Sequence, residues 1–235
     1  MPKPFVFFDL GQTLIDEWEF IEFLDAKFLE VLNGFGARID RRNYVTVRDS
    51  VIRDRMIGHG SARELVIEVC KLLSPPGYER AILSRLEPEL REARSTTFKF
   101  ASDAAATLGS LAEMDVGMGL IANQSEDILG VLAKSGLEKF FKVKIISSQV
   151  QLAKPDPRIF RLALDTAART ASDSIMVGDR LDTDICPAKT LGMTTIRYTN
   201  SLFSLQEPLQ DCECPNYSVA RLSELPRLLE RIMFQ

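Results

Sequence analysis

Short hydrophobic segments recur along the chain and alternate with segments of helical periodicity. Strands that are apolar on both faces and alternate with helices are typical of a parallel sheet covered on its two sides. The pattern therefore predicts an α/β fold with a doubly wound, mostly parallel sheet. The predicted strands cover residues 5–8, 116–122, 143–146, 174–177 and 194–198, and the predicted helices cover residues 103–114, 125–134, 157–168, 183–191 and 218–233.

Residues 16–94 interrupt this alternation, because they contain roughly four helical stretches and no clear strand pattern. We therefore expect a main domain of residues 1–15 and 95–235 and an inserted α-helical domain of residues 16–94. Within the insert, one set of apolar residues recurs at helical spacing and is expected to pack inside it. The set is Trp18, Ile21, Leu24, Phe28 and Leu32.

Local signals indicate where two of the predicted helices begin and end. Ser125 precedes two acidic residues and is expected to be an N-cap, and Gly136 is expected to end the same helix. Asp156 followed by Pro157 is typical of an N-cap and a first helical position.

Charge and hydropathy exclude two classes of partner. The 29 basic and 33 acidic residues give a net charge of −4 and are spread along the whole chain of 235 residues. This distribution leaves no polybasic surface of the kind that nucleic acid or an anionic membrane requires. No apolar run reaches the length of about 18 residues that a membrane span needs.

The four cysteines show no paired framework in their spacing. Cys212 and Cys214 form a C-x-C pair, but no histidine or second pair accompanies it to complete a metal site, so we expect a surface-loop pair. No N-terminal segment resembles a signal peptide, and the reducing cytoplasm is the expected compartment.

Polar residues that can carry chemistry follow the predicted strands. Ligands in open α/β sheets bind beyond the carboxyl ends of the strands. Three carboxylates that meet there would repel one another unless a cation neutralised them. A hard divalent ion with oxygen ligands, Mg²⁺, satisfies this requirement. The residues expected to meet are Asp9, Asn123, Lys154, Asp179 and Asp184.

Four segments resemble, in order, the motifs of the haloacid dehalogenase-like hydrolases. They are FDLGQTL at residues 8–14, AN at 122–123, KPDPRIF at 154–160 and GDRLDTD at 178–184. The resemblance spans nearly the whole chain. It implies a Rossmann-like core, and the inserted helical segment is similar to the α-helical cap of this family.

The resemblance also implies a magnesium-dependent phosphatase or phosphotransferase acting on a small phosphorylated metabolite. Asp9 would attack phosphorus and form an aspartyl-phosphate. Lys154 would offset negative charge, and Thr13 would steady the loop. The implied phosphate-binding residues are Ala122, Asn123 and Lys154, and the implied magnesium ligands are Asp9, Gly11 through its main-chain carbonyl, Asp179 and Asp184, the last directly or through water.

Two positions depart from the family pattern. Gly11 stands where the phosphatases usually have an acid–base aspartate, and Ala122 stands where they usually have a serine or threonine. A general acid–base group contributes about 10² to 10⁴ in rate, and one oxyanion donor contributes about 10² to 10³. We therefore expect Asp9 to react with good leaving groups and the aspartyl-phosphate to hydrolyse slowly. Asp16, Glu17 and His59 in the insert are candidates to compensate.

Two further functions stay open at this point. A 2-haloacid dehalogenase of the same family also lacks the second acid, but it needs no metal and usually keeps the serine before Asn123. A non-catalytic binding or regulatory module would keep the fold and the metal site without efficient turnover, and Gly11 and Ala122 favour that alternative.

Overall fold

The computed structural model describes residues 3–60 and 62–234. The chain divides into two compact units. The first, which we call the core unit, comprises the residues up to Ile15, Phe100–Ser204 and the residues from Pro208 onward. The second, the helical unit, comprises Asp16–Lys99 and Leu205–Glu207. The expected boundary after residue 94 falls inside a helix that ends at Thr97.

Six strands of the core unit form one sheet in the order β5-β4-β1-β6-β7-β8, and every neighbouring pair is parallel. The remaining two short strands pair with each other. In chain order the strands are β1 (Phe5–Phe8), β2 (Ile15–Asp16), β3 (Lys99–Phe100), β4 (Gly117–Ala122), β5 (Val143–Ile146), β6 (Ser174–Gly178), β7 (Thr194–Tyr198) and β8 (Tyr217–Val219).

The helices of the core unit flank this sheet, and the helical unit contains the first four helices. They are α1 (Trp18–Gly34), α2 (Arg41–Arg53), α3 (Ala62–Leu73), α4 (Glu79–Thr97), α5 (Ala104–Glu113), α6 (Asp127–Ser135), α7 (Ser147–Val150), α8 (Pro157–Ala167), α9 (Cys186–Thr190) and α10 (Leu225–Met233). Because β1, β4 and β6 are covered on both faces, all their residues are buried. The predicted α/β class and parallel sheet are confirmed.

The predicted helix over residues 218–233 is wrong in its first part. Tyr217–Val219 forms β8, which pairs with β7 and adds a sixth strand, and α10 begins only at Leu225. Tyr217 and Val219 are residue types that favour strands, and pairing with the edge of β7 stabilises the strand conformation of this segment. The predicted helix over 183–191 also differs, because a π-helical turn (Leu181–Ile185) precedes α9.

The predicted helix ends are confirmed at two of three places. The Asp156 side chain accepts a hydrogen bond from the Arg158 backbone N–H at 2.9 Å, and Pro157 stands in the first turn of α8. Gly136 ends α6 in the left-handed conformation, with φ of 73°. Ser125 is not the N-cap of α6, since Glu126 holds that position and makes no side-chain capping bond.

In the helical unit, α1 packs against α4 and α2 packs against α3. Ile21, Leu24, Phe28 and Leu32 are buried, as their helical spacing predicts. Trp18 is the exception, because 38% of its surface is exposed at the start of α1. No helix in the described ranges is long and apolar enough to cross a membrane.

The expectation of unpaired cysteines is wrong for two of the four. Cys186 at the start of α9 and Cys212 form a disulfide, whose Cα atoms are 4.5 Å apart. Cys70 is free and buried, and Cys214 is free and exposed. The two bonded residues are 26 positions apart in the chain, and only the packing of α9 against the segment around residue 212 brings them together.

Candidate active site

The order of the strands reverses at β1, with β4 on one side of it and β6 on the other. Because the strands are parallel, the residues that follow them share one edge of the sheet. Asp9 follows β1 directly, and its backbone N–H donates to the carbonyl of Val177 in β6 at 2.9 Å. Asp179 follows β6 directly. The two carboxylates are therefore fixed by neighbouring strands.

Lys154 connects two carboxylates of this edge. Its Nζ atom lies 2.5 Å from Asp9 Oδ1 and 2.5 Å from Asp184 Oδ1, and its side chain is only 3% exposed. One carboxylate oxygen from each of Asp9, Asp179 and Asp184 lies within 4.8 Å of the others. The structure thus brings together four of the residues that the sequence places at the site.

The approach of Asp184 depends on the local backbone. The π-helical turn presents its side chain toward β6, and the Arg180 backbone N–H donates to Asp184 Oδ2 at 3.1 Å. A Cβ atom at Gly178 would lie 2.6 Å from Asp184 Cβ, closer than carbon atoms can approach. Glycine at residue 178 therefore makes room for the carboxylate.

The charges of this cluster are not balanced. Burial raises the pKa of Asp9 to about 6, with Lys154 acting against the shift and Asp184 adding to it. Burial also raises the pKa of Asp179, together with repulsion from Asp184 and Asp9. Burial alone would lower the pKa of Lys154, but Asp184 and Asp9 outweigh it and raise that pKa. The Lys154 ammonium group thus contacts two of the three carboxylates, and the nearby Arg180 guanidinium pairs with a fourth, that of Asp182.

Asp179 carries the clearest sign of an incomplete site. Its Oδ2 atom is buried and has no hydrogen-bond partner among the described residues. Buried polar atoms in folded proteins nearly always have a partner. This oxygen and the two neighbouring carboxylates together offer the oxygen ligands that a hard divalent cation such as Mg²⁺ prefers. The residues present therefore fit that ion.

Asn123 has a partner that the sequence does not reveal. Its carboxamide accepts from the Lys154 backbone N–H at 2.8 Å and donates to the Lys154 carbonyl at 2.9 Å. This pair of bonds fixes the main chain that carries the lysine. Ala122, the last residue of β4, is fully buried and has no side-chain donor, and the buried hydroxyl of Thr13 has no partner among the described residues.

Sequence reasoning missed Ser201 and Arg180. A hydrogen bond from Ser201 lowers the pKa of Asp179 and so offsets part of the effect of burial. The Arg180 guanidinium lies 4.3 Å from the ring centre of Phe203 and pairs with Asp182. Ser201 lies shortly after β7, so the rule that points to strand ends would have found it.

The three candidates for a compensating acid or base, Asp16, Glu17 and His59, belong to the helical unit. His59 lies in an exposed turn. Their catalytic use remains a prediction.

The haloacid dehalogenase-like hydrolase model matches residues 6–198, which is most of the chain. The chain belongs to this family of hydrolases. The matched region begins in β1 and ends with β7, and it includes all eight residues that the sequence places at the site.

Full-length relatives of this hydrolase include phosphatases of small metabolites. It is 25% identical to a glyceraldehyde 3-phosphate phosphatase of Methanocaldococcus jannaschii over 97% of each chain. It is 28% identical to a pyrimidine 5'-nucleotidase of Streptococcus pneumoniae over 98% of each chain. These relatives agree with a phosphatase of a small phosphorylated metabolite.

A solved structure of a Bacillus subtilis hydrolase of the same superfamily, bound to magnesium, has a similar fold. The TM-score is 0.66 at 18% identity, and the match covers 97% of this chain and 99% of that one. At this identity the likeness concerns the fold.

Proposed function

We propose that the chain is a Mg²⁺-dependent phosphatase that acts on a small phosphorylated metabolite through an aspartyl-phosphate at Asp9. One observation carries the proposal. The Asp9 carboxylate lies at the reversal of strand order, bonded to a buried lysine, beside two more carboxylates of which one has an unpartnered oxygen. This arrangement suits nucleophilic attack on a phosphoryl group held against positive charge.

The first chemical step uses Asp9. A carboxylate oxygen of Asp9 forms a bond to phosphorus, the ester P–O bond breaks, and the leaving oxygen keeps the bonding electron pair. In the second step the oxygen of a water molecule forms the new bond to phosphorus, the P–O bond to Asp9 breaks with its electron pair returning to the carboxylate, and the proton that the water loses passes to solvent. Lys154 holds Asp9 in place, with Asp184 and Asn123 holding Lys154 from two sides.

The proposed ligands of Mg²⁺ are Asp9, the main-chain carbonyl of Gly11, Asp179 and Asp184. Bound there, the ion would supply positive charge that stabilises the negative charge of the phosphoryl group. Ala122 and Asn123 lie at the proposed phosphate site. Since Ala122 has no donor and the Asn123 carboxamide is engaged with Lys154, the positive charge of Lys154 and the ion is the main attraction for the phosphate.

The direct test is turnover of a phosphate-ester panel with Mg²⁺. The panel contains glyceraldehyde 3-phosphate and pyrimidine nucleoside 5'-monophosphates, because full-length relatives act on them, together with p-nitrophenyl phosphate. Asp9→Asn should lower turnover by about 10⁴-fold or more, as expected for loss of a nucleophile. Asp165→Asn, which changes an exposed carboxylate on α8, is the matched control and should leave turnover unchanged.

The covalent intermediate has its own test. Rapid mixing with an aryl phosphate should give a burst of product followed by a slow phase, because no carboxylate at residue 11 activates water for the second step. Mass spectrometry of acid-quenched enzyme should find one phosphoryl group on the peptide that contains Asp9. A linear time course without label on a fully active sample would contradict the intermediate.

Gly11→Asp tests whether the missing acid limits the rate. A Cβ atom at residue 11 has no neighbour closer than 3.7 Å outside the adjacent residues of the chain, so the first atom of the new side chain meets no clash. We expect the slow phase to accelerate by about 10²-fold or more. An unchanged slow phase, with Mg²⁺ binding retained, would place the limit elsewhere.

Two other functions are separable by experiment. Release of halide from a 2-halo acid in the presence of a chelator would favour a dehalogenase, for which Gly11 is the motivating residue. Binding of Mg²⁺ and inorganic phosphate without turnover of any ester in the panel would favour a regulatory module.

A further inference from the structure

The space beside Gly11 is bounded by a side chain to which the family pattern assigns no role. A Cβ atom built on Gly11 would have a single heavy-atom neighbour within 4 Å outside its own chain neighbours, the Nε2 atom of Gln124 at 3.7 Å. The backbone of Gly11 is outside the left-handed region, so glycine is not required there by conformation. The Gln124 carboxamide is thus the side-chain group that lies nearest to the point where a side chain at residue 11 would begin.

The backbone of Gln124 is fixed relative to the site. Its carbonyl accepts hydrogen bonds from Ser147 Oγ at 3.2 Å and from the Ser148 N–H at 3.4 Å, at the start of α7. The preceding residue, Asn123, holds the main chain of Lys154, whose amine contacts Asp9. Gln124 therefore belongs to the same connected set of residues as the proposed nucleophile.

The carboxamide of Gln124 has no hydrogen-bond partner in the described ranges, and the side chain is half-buried. An amide that is held at a catalytic edge and has its donor free is available to a ligand. Near neutral pH it can donate a hydrogen bond but cannot give up the proton.

We propose that Gln124 is a catalytic residue that donates a hydrogen bond from Nε2 to the leaving-group oxygen during attack by Asp9. This inference rests on the proposed function. As the P–O bond breaks, the leaving oxygen keeps the electron pair, Gln124 stabilises its negative charge, and the proton that it finally takes comes from solvent water. The enzyme therefore favours phosphorylated substrates whose leaving group is stable as an anion, namely aryl phosphate esters and acyl phosphates.

The test is a series of aryl phosphates whose phenols differ in pKa. For the wild-type enzyme, kcat/KM should fall steeply as the pKa of the phenol rises. Gln124→Ala should lower kcat/KM by about 10²-fold for the poorest leaving groups, and by less for the best. Gln124→Met, which keeps the length of the side chain but cannot donate, should behave in the same way.

Gln124→Glu supplies a proton donor at the same place. For the poorest leaving groups it should exceed Gln124→Ala, flatten the dependence on the pKa of the phenol, and add an alkaline decline to the pH profile, because the carboxyl group must be protonated to act. Gln151→Ala, an exposed glutamine after α7, is the matched control and should match the wild type.

The inference and the proposed function fail in different ways. Thermal melting and Mg²⁺ binding of each variant should equal those of the wild type. Folded Gln124→Ala and Gln124→Met could keep the wild-type kcat/KM across the series or lose the same factor for every leaving group. Either result would show that Gln124 does not contact the leaving oxygen, and it would leave the proposed attack by Asp9 untouched. If Asp9→Asn keeps its turnover, the proposed function fails first.

Discussion

Each unit of this hydrolase contains a buried cluster of charged side chains, and the two clusters differ in whether their bonds are complete. In the helical unit, Asp25 Oδ1 accepts from the Tyr44 hydroxyl at 3.0 Å, and Asp25 Oδ2 accepts from Arg48 Nη1. The other guanidinium nitrogens of Arg48 donate to Asp49 at 2.9 and 2.6 Å. Every carboxylate oxygen of Asp25 has a partner.

The cluster of the core unit lacks this completeness. Three carboxylates lie close together there, Lys154 contacts Asp9 and Asp184, and Asp179 Oδ2 has no partner among the described residues. A buried polar group without a partner costs about 1–3 kcal/mol of stability. The comparison indicates that the first cluster stabilises its own unit, whereas the second is arranged for a cation and a phosphoryl group that are not part of the chain.

Replacing Arg48, the cationic partner of Asp25 in the helical unit, should have the largest effect on the free energy of unfolding. Arg48→Met leaves Asp25 buried without its main charge partner, and burial already raises the pKa of that carboxyl despite Arg48 and Tyr44. We expect the free energy of unfolding to fall by about 3–5 kcal/mol, measured by urea denaturation. Lys71→Met, which breaks an exposed pair with Glu68 in the same unit, should change it by less than about 1 kcal/mol. Similar losses of unfolding free energy for the two variants would contradict the distinction between the buried and the exposed ion pair.

Binding of Mg²⁺ should stabilise the protein through the carboxylate cluster of the core unit. At about 100 times its dissociation constant, Mg²⁺ should raise the free energy of unfolding by about 2.7 kcal/mol, which thermal melting can follow. Asp179→Asn should remove this gain, while Asp165→Asn should keep it. A gain that survives in Asp179→Asn would place the ion elsewhere.

Acid should weaken that ion binding. Burial raises the pKa of Asp9 to about 6 and raises the pKa of Asp179 as well. Mg²⁺ must displace the proton that each carboxyl takes up as the pH falls through its pKa. Calorimetry should therefore show the affinity for Mg²⁺ falling by about tenfold per pH unit for each proton displaced, below about pH 6. An affinity that is constant from pH 7 to pH 5 would show that these carboxylates are not ligands.

The smallest effect concerns one hydrogen bond from a neutral donor. Tyr44→Phe removes the hydroxyl that donates to the Asp25 carboxylate and should lower the free energy of unfolding by about 1.5 kcal/mol. Turnover should not change, because the residue lies in the complete cluster. A loss of turnover without a loss of stability would assign Tyr44 to function.

Much of this molecule was determined by the sequence alone. The strands that are apolar on both faces predicted the parallel sheet, because burial on both faces is visible in the pattern of the strand itself. The polar residues that follow the strands predicted the edge of the sheet at which the site lies, and Asp9, Lys154 and Asp179 are among them. The same reasoning predicted the four helices of residues 16–94.

The tertiary structure decided what depends on partners distant in the chain. Pairing with β7 made Tyr217–Val219 a strand, and the packing of α9 joined Cys186 to Cys212. The neighbour of Gly11 is Gln124, more than a hundred residues away in the sequence, and the partner of the Asn123 carboxamide is the main chain of Lys154. Such contacts follow from how elements meet in space, which the periodicity of a sequence does not encode.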